Sequence, residues 1–213
     1  FARGKVDTTA CYINLGTGAF LQVFSPLAAA PDGLLTSPIL LDGSANSIYA
    51  TEATVNGAAS ALGWLSGQCG FTVTPEHIGM ALEQQPQRIC YLLNAQGGLS
   101  APYWRTDVQS AFSEGLTAME KILAWVESIL FQLMVNLSLV RQQTEVKIIY
   151  ISGGLGRSDS LCQRLANLAG LPVIRHENAD ATLQGMAYVT AGQPDNWQVS
   201  AAASFEQIIG HQR

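Results

Sequence analysis

The stretch from Val146 to Thr190 constrains the fold more than any other part of the sequence. Val146 to Ile151 is a short, β-branched run, Gly153-Gly154-Leu155-Gly156 is a glycine turn, and Ser158 to Ala169 carries a helical pattern. Leu171 to Ile174 is a second apolar run, and Asp180 to Thr190 reads as a closing helix. Strands that alternate with helices across short loops build βαβ units, and these require a parallel sheet covered by helices. The start of the chain adds antiparallel pairing. Ala10 to Leu15 and Ala19 to Phe24 flank Gly16-Thr17-Gly18 in the pattern of a β-hairpin, and a third strand is expected near Leu34 to Leu41, after Pro31-Asp32-Gly33. The predicted class is α/β, a mixed sheet with helices on its faces. Residues 1–213 show no internal repeat and no interdomain linker.

Between these ends, Thr54 to Ser66 places Val55, Ala58, Ala59, Leu62 and Leu65 at helical spacing, with Gly57 in the first turn. A glycine there weakens a helix by about 1 kcal/mol relative to alanine and points to a close approach by something else. Pro75 opens a short helix to about Gln84, Arg88 to Leu93 reads as a strand, Gly97 to Arg105 as a loop, and a helix of about 25 residues follows. Within it, Ile122 to Val140 is 19 residues long and mostly apolar, close to the length that spans a bilayer. It also holds Glu127, Gln132 and Asn136, and a charge near the centre of a span costs roughly 2.5–3.5 kcal/mol. The expected role is a buried central helix rather than a membrane span. The sequon Asn136-Leu137-Ser138 falls inside that helix and not on a surface loop.

With 11 Lys and Arg scattered along a chain of net charge -5, no basic stripe exists for a nucleic acid backbone. Cys11, Cys69, Cys90 and Cys162 lie far apart without zinc-ligand spacing, so free thiols in a reducing cytoplasm are expected. His77, His176 and His211 are widely separated, and no Ser-His-Asp arrangement can be drawn. The four tryptophans read as packing residues. The chain opens at Phe1 with neither an initiator Met nor a signal-peptide pattern, as part of a longer protein would.

Two glycine clusters admit two readings each. Gly16-Thr17-Gly18 satisfies a tight hairpin turn, and it also frees backbone N–H groups and a threonine hydroxyl to meet an anion. Ser152-Gly153-Gly154-Leu155-Gly156-Arg157-Ser158 follows a strand and opens a helix, where α/β folds bind ligands and a helix N-terminus presents unsatisfied donors. Its spacing is neither GxGxxG nor that of a P-loop.

Several segments in order complete the picture: INLGTGAF at Ile13 to Phe20, NGAASALGWL at Asn56 to Leu65, APYW at Ala101 to Trp104, Gly115-Leu116-Thr117, ISGGLGRS at Ile151 to Ser158, and DATLQGMA at Asp180 to Ala187. Their order and spacing resemble the C-terminal lobe of the FGGY carbohydrate kinases. This is the family of glycerol kinase, xylulokinase, ribulokinase and sedoheptulokinase, within the actin-like ATPase superfamily and its ribonuclease H-like fold. The resemblance implies a single nucleotide-binding lobe that uses ATP and Mg2+. A small sugar or polyol would be bound mainly by an N-terminal lobe absent from this chain. Gly16, Thr17 and Gly18 then correspond to a phosphate-contacting turn, and Gly57 and Ala61 to the wall beside the nucleotide. Gly153 and Gly154 correspond to a turn over adenine and ribose, and Ser158 to a position where many members place an Asn. Asp180 and Gly185 fall where the family has a Glu before a Gly-Ala pair.

The family's proton-accepting Asp would lie a few residues before Phe1, so no residue here is assigned a catalytic or metal-ligating role, Asp7 included. Arg105 and Gln109-Ser110 depart from the family pattern, which has an Asp and then an Arg-Gly pair. Homo-oligomers are implied as well, with the exposed face of the long helix as the candidate contact. The competing reading is a non-catalytic nucleotide-sensing or scaffolding module of the same superfamily. A third takes both glycine turns as purely structural.

Overall fold

The computed structural model describes residues 1–40, 47–84, 88–176, 181–199 and 201–208. In chain order the elements begin with β1 (Ala10–Leu15), β2 (Ala19–Ser25), β3 (Leu35–Leu40), β4 (Ile48–Val55), α1 (Leu62–Cys69) and α2 (Pro75–Glu83). They continue with β5 (Leu92–Leu93), β6 (Ala111–Phe112), α3 (Ala118–Val140), β7 (Ile148–Ser152), α4 (Asp159–Ala169), β8 (Val173–His176), α5 (Ala181–Thr190) and β9 (Ala201–Phe205). Among the described residues the main sheet has seven strands in the order β3-β4-β2-β1-β7-β8-β9. β1, β7 and β8 run parallel, as the βαβ pattern predicts, and the remaining pairs are antiparallel. β5 and β6 make a separate two-stranded ribbon.

Two sequence expectations are corrected. Thr54 to Ser66 is not one helix: β4 runs to Val55, Gly57 takes φ +71, residues Ala59–Ala61 form one 3-10 turn, and α1 begins at Leu62. β4 carries little strand signal because its two alanines and two threonines, half of IYATEATV, fall on both faces and give weak apolar contrast. The strand expected at Arg88 to Leu93 shrinks to β5, and Leu41 and Asp180 lie outside the described residues.

One face of the sheet forms the core. Cys11, Ile13, Leu15, Leu21, Val23, Ala53, Val55, Ile149 and Ile151 are buried there. α3 packs against β2 and β4 and is flanked by α1, α2 and α4. This helix has the length and composition of a membrane span, yet Ile122, Leu123, Trp125, Leu130, Leu133 and Leu137 are buried inside the protein. Asn136, fully buried, donates to Ala101 O at 3.1 Å and Gln132 O at 3.0 Å, which places the sequon inside the core. Glu127 pairs with Arg164 and ties α3 to α4. Burial raises the thiol pKa of Cys11, and that of Cys162 to about 11, so neither is a ready nucleophile. His77 is half-buried and accepts from Thr74 N at 3.2 Å as part of the α2 capping box.

The start of α3 is fixed by charge. Thr117 and Glu120 form a capping box, with Thr117 N donating to Glu120 at 2.8 Å, and Arg88 donates to Glu120 and to Gly115 O. Arg88 first, then the Thr117 N–H, holds the Glu120 carboxyl at about 2, against an ordinary 4.5. A carboxyl depressed in the folded state contributes stability above its unfolded pKa and loses it as pH falls through the folded one. Glu120→Gln is therefore expected to flatten the loss of stability between pH 4.5 and 2. Urea midpoints of both proteins across that window check this, and equal acid slopes would contradict it.

Candidate functional site

At the C-terminal ends of β1 and β7, three glycine-bearing segments touch. The hairpin turn closes with Gly16 N donating to Gly18 O at 3.0 Å, leaving Thr17 exposed. On one side, the start of the 3-10 turn is fastened to it, with Ala59 N donating to Gly16 O at 3.3 Å and Ser60 N to Thr17 O at 2.9 Å. On the other side Gly153 takes φ +90 and packs so tightly that a Cβ there would stand 2.5 Å from both Leu15 O and Asn14 Oδ1. Only glycine satisfies both the angle and the space.

Gly154 differs from its neighbour: it is exposed, has φ -63, and no atom would lie within 4 Å of an added Cβ. One 3-10 turn later, Ser158 caps α4, its Oγ accepting from Leu161 N at 3.3 Å. The positive end of the α4 dipole thus lies just beyond the glycine turn. Arg175 steadies this end by donating to Arg157 O at 2.9 Å and to Asp159 at 2.6 Å.

Gly57 and Ala61 lie beneath this surface. Both are buried, and the open side of Gly57 is filled by Asn94, whose Oδ1 would stand 2.3 Å from an added Cβ. The close approach that the glycine signalled comes from inside the chain. Gly57 and Ala61 flank the stretch Ala58 to Ser60, whose Ala59 and Ser60 N–H groups fasten to the hairpin turn. Asn14, Ala59, Ser60 and Asn94 are not assigned to a site by the sequence. Asn14 alone had a signal, its strand alternation with the buried Ile13 and Leu15.

The sheet face away from α3 carries a groove of about 530 Å³ that begins beside the turn. Arg3, Tyr12, Asn14, Gln22, Glu52, Tyr150 and Ser152 line it, with α5 along one wall. Gln22 donates to Glu52 at 2.5 Å, and the Arg3 guanidinium lies 4.0 Å over the Tyr150 ring. Burial raises the Tyr12 phenol pKa. Gly185 brings α5 against the N-terminal segment, where an added Cβ would stand 3.2 Å from Ala2 N. Asp7 is engaged in its own turn, accepting from Thr9 N and Thr9 Oγ1 at 2.8 Å each.

Residues 11–193 match the model of the FGGY family of carbohydrate kinases, C-terminal domain. The chain belongs to this family. A glycerol kinase of Agrobacterium fabrum is 31% identical over 193 residues, covering 85% of this FGGY chain and 38% of that protein. A glycerol kinase of Pseudarthrobacter chlorophenolicus is 30% identical over 207 residues, covering 93% and 41%. The chain thus spans about two fifths of the length of these relatives.

In structure it resembles a ligand-bound xylulose kinase from Lactobacillus acidophilus, with TM-score 0.80 at 21% identity over 95% of this chain and 44% of that one. It also resembles a Plasmodium falciparum glycerol kinase solved with ADP, with TM-score 0.78 at 19% identity over 92% and 42%. At these identities the likeness is one of fold. The mixed sheet with helices on its faces has the fold of these kinases, as the FGGY resemblance implies.

Proposed function

We propose that this chain supplies the nucleotide-binding lobe of a kinase that transfers the γ-phosphoryl group of ATP to a hydroxyl of a small sugar or polyol. The observation that carries the reading is the convergence of the Gly16-Thr17-Gly18 turn, its Ala59–Ser60 anchor and the Gly153-Gly154 turn at the ends of two parallel strands. Ligands of open α/β sheets bind at such carboxyl ends.

In this reading the exposed Thr17 hydroxyl and the N–H groups of Thr17 and Gly18 donate to the β- and γ-phosphates, the Gly16 N–H being taken up inside the turn. The Gly153-Gly154 turn and Ser158 border the adenine and ribose, with the α4 N-terminus adding a favourable field. Gly57 and Ala61 hold the backbone that positions the turn. Phosphoryl transfer is mostly a matter of positioning and charge stabilisation, and backbone donors on rigid strand ends provide both. Mg2+, when it accompanies the nucleotide, offsets phosphate charge. Asp7 is bound within its own turn and Glu52 to Gln22, and in this reading neither is given the role of the base that accepts the hydroxyl proton. Closure against the lobe that holds the acceptor then brings ATP and alcohol together.

Gly154→Asp separates binding from folding. The site is open and the backbone angle ordinary, so the fold is retained, while the added charged side chain occupies the space where the adenine and ribose would lie. At least about a tenfold loss of Mg-ADP affinity, about 1.4 kcal/mol, is expected at unchanged thermal midpoint. Equal affinities would count against the site.

The reaction itself is tested with a polypeptide that carries this chain at the full length of its relatives. ADP release is followed with Mg-ATP across glycerol, erythritol, pentuloses, hexuloses and sedoheptulose. Turnover stimulated by one alcohol is the expected result. Alcohol-independent release throughout would instead favour a nucleotide sensor.

A further inference from the structure

The strap that anchors the hairpin turn is itself held from below. Gly57 turns the chain out of β4, and its carbonyl accepts from two side chains, Trp125 Nε1 at 2.8 Å and Asn94 Nδ2 at 3.1 Å. Asn94, 5% exposed, also donates to Ser128 Oγ at 3.1 Å, which joins it to α3. Its Oδ1 fills the space where any larger residue at position 57 would project, 2.3 Å from an added Cβ. The loop that begins at Asn94 grips the same corner again, with Asn56 Nδ2 donating to Gly97 O at 2.9 Å and Asn56 N to Ser100 Oγ at 3.0 Å. Two and three residues beyond Gly57 come the Ala59 and Ser60 N–H groups that hold the turn carbonyls.

We propose that Asn94 is a positioning residue for the nucleotide. Its amide locks the Gly57 carbonyl, which fixes the path of Ala58 to Ser60 and through it the aim of the Gly16–Gly18 turn. The proposal rests on the reading of that turn as phosphate-binding. Trp125 gives Gly57 a second donor, but only Asn94 both donates to the carbonyl and blocks the swing of the α-carbon. A binding constellation must be held within about 0.5 Å to work, and that precision comes from the shell of hydrogen bonds behind the contacting groups.

The test uses Asn94→Ala and Asn94→Asp with two readouts. Amide hydrogen exchange at Ala59 and Ser60 reports the strap directly, with or without nucleotide. Calorimetric titration with Mg-ADP reports the site. Asn94→Ala is expected to speed exchange at these two amides by about tenfold and weaken Mg-ADP by about tenfold, the equivalent of one buried hydrogen bond, while amides of α4 keep their protection. Asn94→Asp keeps the size but turns an acceptor onto the Gly57 carbonyl, and should weaken binding further. If that variant does not fold, Asn94→Ala carries the test.

Unchanged exchange at Ala59 and Ser60 would overturn the proposal. So would a uniform rise across α3 and α4, which marks a merely structural role. Absence of Mg-ADP binding by the unaltered protein overturns the phosphate reading and the nucleotide part of this proposal with it, and exchange still decides whether Asn94 holds the strap.

Discussion

Gly153→Ala destabilises the protein by at least about 3 kcal/mol and abolishes Mg-ADP binding, whereas Gly154→Ala, one residue along, leaves stability within about 0.5 kcal/mol. The two glycines are adjacent in sequence and opposite in circumstance. Gly153 holds φ +90, a conformation costing an L-residue roughly 1–2 kcal/mol by itself. Its Cβ would also press on Leu15 O and Asn14 Oδ1 at 2.5 Å, and the first of these is backbone of β1 that cannot swing aside. Relief requires β1 and β7 to separate at the end where the hairpin turn begins, so stability and site geometry fail together. Gly154 has φ -63 and empty space around it. Urea unfolding of both variants checks the contrast, and similar midpoints would show that the strand junction is looser than this packing implies.

The second large effect is at Trp125. Its indole is fully buried between the sheet and the surrounding helices, and its Nε1 donates to Gly57 O at 2.8 Å. Trp125→Ala leaves a cavity and is expected to lower stability by about 3–5 kcal/mol, a large part of what a domain of this kind has. Trp125→Phe keeps most of the apolar volume but removes the donor, and is expected to lower stability by about 1–3 kcal/mol. Denaturant midpoints give both values. The Phe variant should also weaken nucleotide binding more than its stability loss suggests, because the Gly57 carbonyl it releases leads to the hairpin turn. If Phe and Ala behave alike, the hydrogen bond rather than the volume carries the residue's contribution.

What could be read from the sequence follows how local each signal is. The hairpin, α3, and the run from β7 through α5 were legible because glycine turns and 3.6-residue periodicity are short-range properties. β4 and β9 were not. β4 spreads Ala and Thr over both faces, so it is a strand only because β2 and β3 pair with it on either side. β9 carries a run of alanines that favours helix in isolation, and pairing with β8 overrides that preference.

At the candidate site, the two glycine turns were visible one at a time, but their contact depends on the parallel register that sets Asn14 beside Ser152. Gly57 was noticed for the right physical reason, a close approach, and its partner Asn94 lay 37 residues away in a loop with no periodicity to betray it. The capping box at Thr117 and Glu120 was likewise written locally, whereas the Arg88 that completes it comes from 32 residues earlier.

The most direct test of the central claim is calorimetric titration of this chain with Mg-ADP, beside its Gly154→Asp counterpart. A single saturable site at or below about 1 mM nucleotide, markedly weakened by the substitution, is expected. A flat titration of the unaltered chain at millimolar Mg-ADP, or identical isotherms for the two proteins, would contradict it.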